Sequence, residues 1–149
     1  MNTPSISLLL ADDDPDDCIL FQEALDELPI DASLTIVNDG VQLIDLLSKE
    51  GQTLPQALFL DLNMPRKNGV ECLIYIKKDA KLKQLPVIIL STSWDKEFLS
   101  ILHERGASFF FRKPNEFNKL KEVISKSIDL ISQNNSGQIS KDQFDLTEA

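Results

Sequence analysis

Basic residues are in the minority in this 149-residue chain: 15 Lys and Arg stand against 24 Asp and Glu, a formal charge of -9. A nucleic-acid backbone or an anionic bilayer is bound through an excess of cations, so the deficit argues against either as a direct partner. Cysteine is scarce too. Cys18 and Cys72 sit in apolar surroundings without CxxC spacing, which excludes a disulfide scaffold or a zinc ribbon and suits two small buried thiols in a reducing compartment. His103 is the single histidine. With no Cys, Asp or second His arranged around it, neither a zinc site nor a phosphohistidine relay domain is expected, and it reads as a surface residue. No apolar run approaches the ~20 residues of a membrane-spanning helix. The N-terminal MNTPSISLLLADDD also lacks the basic flank of a signal peptide, so a cytoplasmic protein is expected. What the chain has in quantity is acid, with five acids in the six positions from Asp12 to Asp17.

The length suits one domain, and a hydrophobic content of 42% is enough for its core. Ile6 to Leu10 is a nearly continuous apolar run that stops at Asp12, the pattern of a buried strand. After Pro15, Cys18, Ile19, Phe21, Ala24, Leu25 and Leu28 form an apolar stripe before Pro29, so a helix follows. The alternation continues with a strand over Leu34 to Val37 and a helix carrying Leu43, Ile44, Leu46 and Leu47 up to Gly51. A third strand, Ala57 to Leu60, ends in Asp61, and a helix bearing Val70, Leu73, Ile74 and Ile76 comes next. Pro86 introduces a fourth strand, Val87 to Leu90, ending at Ser91. A weakly patterned helix from about Asp95 to Glu104 carries Phe98, Ile101 and Leu102 and closes at Gly106. The last strand, Ser108 to Phe111, is followed by Lys113 and Pro114 and a helix from about Glu116 to Ile131. Five strand-helix units with apolar strands demand a mostly parallel sheet covered on both faces, an open α/β fold. Periodicity alone does not choose the strand order. Residues 132–149 read as a polar tail with at most a weak short element around Phe144, too small for an output domain.

In an open parallel sheet the site lies outside the carboxyl ends of the strands. Here those ends carry Asp12 and Asp13, then Asp61, then Ser91, then Lys113. If the first and third strands are neighbours, three carboxylates converge within reach of one hard divalent cation such as Mg²⁺. Left alone they repel one another, so an ion or a lysine is the natural compensator, and Lys113 stands at the right edge. Ser91 and Lys113 can both donate to oxygens arriving at the same place, which suits a phosphoryl group. The chemistry would be in-line attack by the Asp61 carboxylate on a phosphoryl donor.

These residues identify a resemblance. LLADDDPDD, FLDLNMPRKNG around Asp61, LST at Leu90 to Thr92 and FFRKP ending at Pro114 occur in the order and at separations that resemble the receiver domains of two-component response regulators, over about residues 5 to 131. The resemblance implies a flavodoxin-like (βα)₅ fold with strand order 2-1-3-4-5. By it Asp61 is the phosphoacceptor, Asp12 and Asp13 position Mg²⁺ and Asn63 adds a backbone carbonyl. Ser91 is the switch hydroxyl and Lys113 contacts the phosphoryl group. Pro114 follows a peptide bond that in this family is commonly cis. The aromatic three residues before the lysine is Phe110, which would rotate inward when Ser91 moves and so alter the face of the fourth helix, fifth strand and fifth helix. As Phe rather than Tyr it has no hydroxyl to mark its two positions.

The acidic turn and the asparagine two places after Asp61 look especially like the single-domain receivers associated with phytochrome-type histidine kinases. The implied partners are a histidine kinase or histidine phosphotransfer protein and a downstream protein. A homodimer through the fourth or fifth helix fits the same pattern. Such a domain is not a dedicated enzyme, although it catalyses its own Mg²⁺-dependent phosphorylation and dephosphorylation.

Other readings compete less well. A haloacid-dehalogenase-like aspartyl-phosphate phosphatase shares the strand-end Asp, the lysine and the metal, but it needs an acid/base near the nucleophile, and Asn63 cannot shuttle a proton. A flavin-binding, flavodoxin-like module would place a Ser/Thr/Gly-rich turn after the first strand, where this chain has carboxylates. An EF-hand loop would match Asp12, Asp14, Asp16 and Glu23, but Asp17 stands where glycine is required. Asp16 and Asp17 read as solvated acids favoured by the positive end of a helix, and Asp14 as a turn residue within reach of the site. Trp94 reads as a partial cap over the site or an interface residue. Phe109 and Phe111 read as core.

Overall fold

The computed structural model describes residues 5–51, 53–64, 68–92, 95–133 and 144–146. Five βα units follow one another: β1 (Ile6–Ala11), α1 (Pro15–Asp26), β2 (Ala32–Val37), α2 (Gly40–Ser48), β3 (Ala57–Asp61), α3 (Gly69–Lys78), β4 (Val87–Ser91), α4 (Lys96–Glu104), β5 (Phe109–Arg112) and α5 (Phe117–Gln133). Every strand pairing is parallel and the order is β2-β1-β3-β4-β5. The expected fold is therefore the observed one, a doubly wound five-stranded sheet.

Strand periodicity of two divides the core into two layers. Leu8 and Leu10 of β1, Phe59 of β3, and Phe109 and Phe111 of β5 pack with Phe21 and Leu25 of α1 and Ile124 and Ile128 of α5. Leu9, Leu58, Leu60 and Phe110 face the other way, onto Leu43 of α2, Leu73 and Ile76 of α3 and Leu102 of α4. Phe59 bridges its neighbours edge-on, with ring centroids 5.0 Å from Phe21 and 6.5 Å from Phe111. Central β3 and β4 are buried at every position, as strands covered on both faces must be, whereas β2 at the sheet edge is fully buried only at Val37. Ile19 and Ile101, read as parts of apolar stripes, are instead 56% and 46% exposed. Each sits about 100° around its helix from a buried neighbour, Cys18 or Leu102, and falls off the inner face.

Short polar side chains set the helix starts. Asp14, Asp39 and Asp95 accept backbone N–H groups at the first turns of α1, α2 and α4. Asn68 and Glu71 form a reciprocal capping box on α3. α4 ends at Gly106, whose φ of +99° permits the Ala107 N–H to reach the Leu102 carbonyl. Beside this turn Lys77 donates to the carbonyls of Lys83 and Leu85 at 3.1 and 2.7 Å, and burial pushes its pKa down.

A short element does occur around Phe144, and it docks on the edge of the sheet. Asp145 bridges in parallel to Phe110, and the Leu146 N–H donates to the Phe110 carbonyl at 2.7 Å. Phe144 and Leu146 are 2% and 5% exposed, and Phe144 meets the half-buried His103 edge-on at 5.3 Å. His103 is thus an interior-facing neighbour of the tail rather than the surface residue expected. Among the described residues, no helix is long and apolar enough to cross a membrane.

Candidate functional site

The parallel register pairs Ala11 with Leu60 and Asp61 with Leu90, so the chain leaves β1 at Asp12 beside the Asp61 end of β3, with the end of β4 on the far side. Asp12 and Asp61 are each 2% exposed, while Asp13 is exposed. One carboxylate oxygen from each of Asp12, Asp13 and Asp61 lies within 4.8 Å of the others. Oxygen donors gathered so closely suit a hard divalent cation, so these three carboxylates fit such an ion in both chemistry and spacing.

Local structure holds each group. The Asp12 Oδ1 accepts the Asp14 N–H at 2.9 Å and the Asp61 Oδ1 accepts the Asn63 N–H at 3.1 Å. Asn63 is therefore placed beside Asp61. The Lys113 N–H donates to the Ser91 carbonyl at 2.9 Å, tying the end of β5 to that of β4, and Ser91 is 1% exposed. From this anchor the Lys113 ammonium reaches across the edge of the sheet. It lies 3.0 Å from Asp12 Oδ2, 3.2 Å from Asp61 Oδ2 and 2.8 Å from Asp17 Oδ2. Gly69 opens α3 against this edge, where an added Cβ would stand 2.6 Å from the Asp61 carbonyl oxygen and 2.6 Å from the Leu62 Cα. Only glycine allows that backbone approach.

Burial and charge shape the electrostatics. Burial first, and the charge of Asp61 with it, push the Asp12 pKa from 3.8 up to about 6, against the Asp14 N–H and Lys113, which favour the ionised form. For Lys113 burial opposes the charge, yet the hydrogen bond to Asp17 and the charges of Asp12 and Asp61 outweigh it, and its pKa is raised. Cys18 donates to the Asp12 carbonyl at 3.5 Å, and its thiol is pushed up to about 11 by burial and by the Asp12, Asp17 and Asp14 charges. It is a buried neutral thiol; Cys72 is also buried, its Sγ 3.8 Å from the Gly40 carbonyl.

Three expectations need correction. Asp17 is more than a solvated acid at a helix start: still partly exposed, it is the nearest carboxylate to Lys113, because α1 starts directly over the carboxyl edge of the sheet. Asp14 does not join the metal group. Its Oδ1 is turned to the N–H groups of Asp16 and Asp17 at 2.9 and 3.4 Å and caps α1, the turn role expected of it. No peptide bond among the described residues is cis, so Lys113–Pro114 is trans. For an X–Pro bond the two isomers differ intrinsically by only about 0.5–1 kcal/mol, and the surroundings decide. Phe110, the expected switch aromatic, is already inward, fully buried with Phe144 in the α2–α3–α4 layer. Phe109 and Phe111 are core, as expected. Trp94 lies outside the described residues. Sequence reasoning missed Asn38, whose side-chain amide donates to the Asp12 carbonyl at 3.3 Å and braces the β1 end from β2. Its one signal was its place at the end of a strand.

Comparison with known proteins agrees with this arrangement. The family model described as the response regulator receiver domain matches residues 8–125. Response regulator Rcp1 of Synechocystis sp. is 32% identical over 127 residues, 83% of this chain and 86% of that protein. Among solved structures, the phosphorylated cyanobacterial phytochrome response regulator RcpA superimposes with a TM-score of 0.77 at 29% identity, covering 92% of this chain and 100% of the other. The Mn²⁺-bound form of Rcp1 gives 0.74 at 28% identity, covering 91% and 99%.

Proposed function

The chain belongs to the response regulator receiver domain family and is related to the phytochrome-associated receivers; from that premise we propose that it accepts a phosphoryl group on Asp61 from a histidine kinase or histidine phosphotransfer protein. One observation carries the reading: a buried strand-end carboxylate, Asp61, shares a single ammonium with Asp12 at the point where the sheet order reverses. An Asp61 oxygen attacks the phosphorus of the donor, the bond from phosphorus to the leaving group breaks, and the new bond is a mixed anhydride. Lys113 and the Ser91 hydroxyl hold the transferred oxygens. Asp12, Asp13 and Asp61, with the Asn63 carbonyl, would hold Mg²⁺. When bound, the ion supplies positive charge against the phosphoryl oxygens.

The phosphatase alternative is disfavoured because the residue two places past Asp61 is Asn63, whose amide is too weakly acidic to protonate a leaving group. The flavin alternative is disfavoured by carboxylates standing where a phosphate would bind. A cytoplasmic location is part of the proposal, and the similarity to RcpA and Rcp1 makes a phytochrome-type kinase the first donor to test. The output is a change at the face of α4, β5 and α5, read by a protein partner. Incubation with a small acyl phosphate and Mg²⁺ is expected to add one phosphoryl group, about 80 Da by intact mass. Chelation of the metal and Asp61→Asn should each abolish the gain. Full incorporation by the variant would refute the assignment.

A further inference from the structure

Lys113 donates to three carboxylates, and one of them, Asp17, is not among the group that could hold the ion. The contact to Asp17 is also the shortest, 2.8 Å against 3.0 Å to Asp12 and 3.2 Å to Asp61. Asp17 belongs to the first turn of α1, where its N–H is held by the capping Asp14, so the helix start fixes where its carboxylate stands. Its neighbour Asp16 is exposed and makes no ion pair among the described residues. An ammonium has three N–H donors, and here the three carboxylates take them all. The Oδ2 atoms of Asp12 and Asp61 are held by Lys113, while their Oδ1 atoms take the N–H groups of Asp14 and Asn63. A divalent ion that draws on this pair must therefore draw it away from Lys113.

We propose that Asp17 is a positioning residue: it holds the Lys113 ammonium on the α1 side of the pocket, so that Asp12 and Asp61 can release it to a divalent cation while Lys113 keeps an ion pair beside the phosphoryl site. Without Asp17 the ammonium has only the two metal-ligating carboxylates to pair with, and it competes with the ion for them. The inference deepens the phosphoacceptor reading and rests on it.

Calorimetric titration of the metal-free full chain with Mg²⁺, and with Mn²⁺ as a second probe, tests it. Asp17→Asn and Asp17→Ala should weaken binding about five- to tenfold, the scale of one typical net hydrogen bond at a partly exposed position. Asp16→Asn removes the same charge one residue away and should change affinity less than about twofold. An independent reading comes from the ¹⁵N-coupled ammonium signal of Lys113, expected to be sharp in the wild type and in Asp16→Asn but broadened by exchange in both Asp17 variants. A role confined to starting α1 would lower the melting temperature and leave isotherm and signal alone. Equal or tighter metal binding by the Asp17 variants, relative to Asp16→Asn, overturns the inference. If that happens while Asp61 still accepts a phosphoryl group, only this inference falls. A wild-type chain that binds neither ion removes the phosphoacceptor reading with it.

Discussion

Asp12 shows how a single residue can be unfavourable for the fold and necessary to the site. Its folded pKa of about 6 lies above the ordinary 3.8, so folding favours its protonated form. The sign follows by linkage. This contribution to stability is present below about pH 4 and is lost as pH rises through about 6. At neutral pH the metal-free protein therefore carries a buried charge that Lys113 and the backbone only partly compensate. Asp12→Asn is expected to raise the stability of the metal-free protein at pH 7 by about 1–3 kcal/mol in urea unfolding, and to flatten its stability between about pH 4 and 6. Added Mg²⁺ should stabilise the wild type and not the variant. At this scale the sequence was informative wherever a residue's role followed from its place at the end of a strand: Asp12, Asp61, Ser91 and Lys113 could all be found that way. Asp17 could not, because its partner is 96 positions away and the contact depends on how α1 docks over the sheet. The isomer of the bond before Pro114 was equally hidden, being a small preference settled by tertiary surroundings.

Among the elements, the connection from β3 to α3 and the tail against β5 bear most on the site. Gly69→Ala forces a Cβ into the Asp61 carbonyl and the Leu62 Cα, both backbone atoms that cannot swing away. It should cost about 1–3 kcal/mol and slow phosphoryl acceptance by shifting Asp61, whereas Gly51→Ala, where a Cβ meets nothing within 4 Å, should cost only its backbone strain at φ +77°. The tail segment is held by one backbone hydrogen bond and two buried side chains, so it can detach without opening the sheet. Phe144→Ala should therefore cost less than the ~3–5 kcal/mol of a truncated core phenylalanine. Hydrogen exchange should show protection lost at the Leu146 N–H and kept at Ile124 and Ile128. The helices were readable because capping residues and apolar stripes coincide, as at Asn68 and Glu71 of α3. The tail was only half readable: Phe144 and Leu146 stand out from a polar stretch, but nothing local indicates that the partner is the free edge of β5.

For the whole molecule, a net charge of -9 first served to set aside anionic partners, and the fold shows where part of it is used. The order β2-β1-β3-β4-β5 makes β1 and β3 neighbours, and the connections leave the sheet in opposite directions at that junction, so the site belongs there. Alternation of strands and helices specified a doubly wound sheet, but periodicity is the same for every permutation of buried strands. The order was legible only through the resemblance to receiver domains that the motifs around Asp12, Asp61 and Lys113 carry. The most direct test of that meeting is chemical location of the acceptor. After phosphorylation with a small acyl phosphate and Mg²⁺, borohydride reduction should convert the acyl phosphate to homoserine, and peptide sequencing by mass spectrometry should place it at position 61 alone. Homoserine at Asp12 or Asp13, or a stable phosphoester at Ser91 with Asp61 unmodified, would contradict the account.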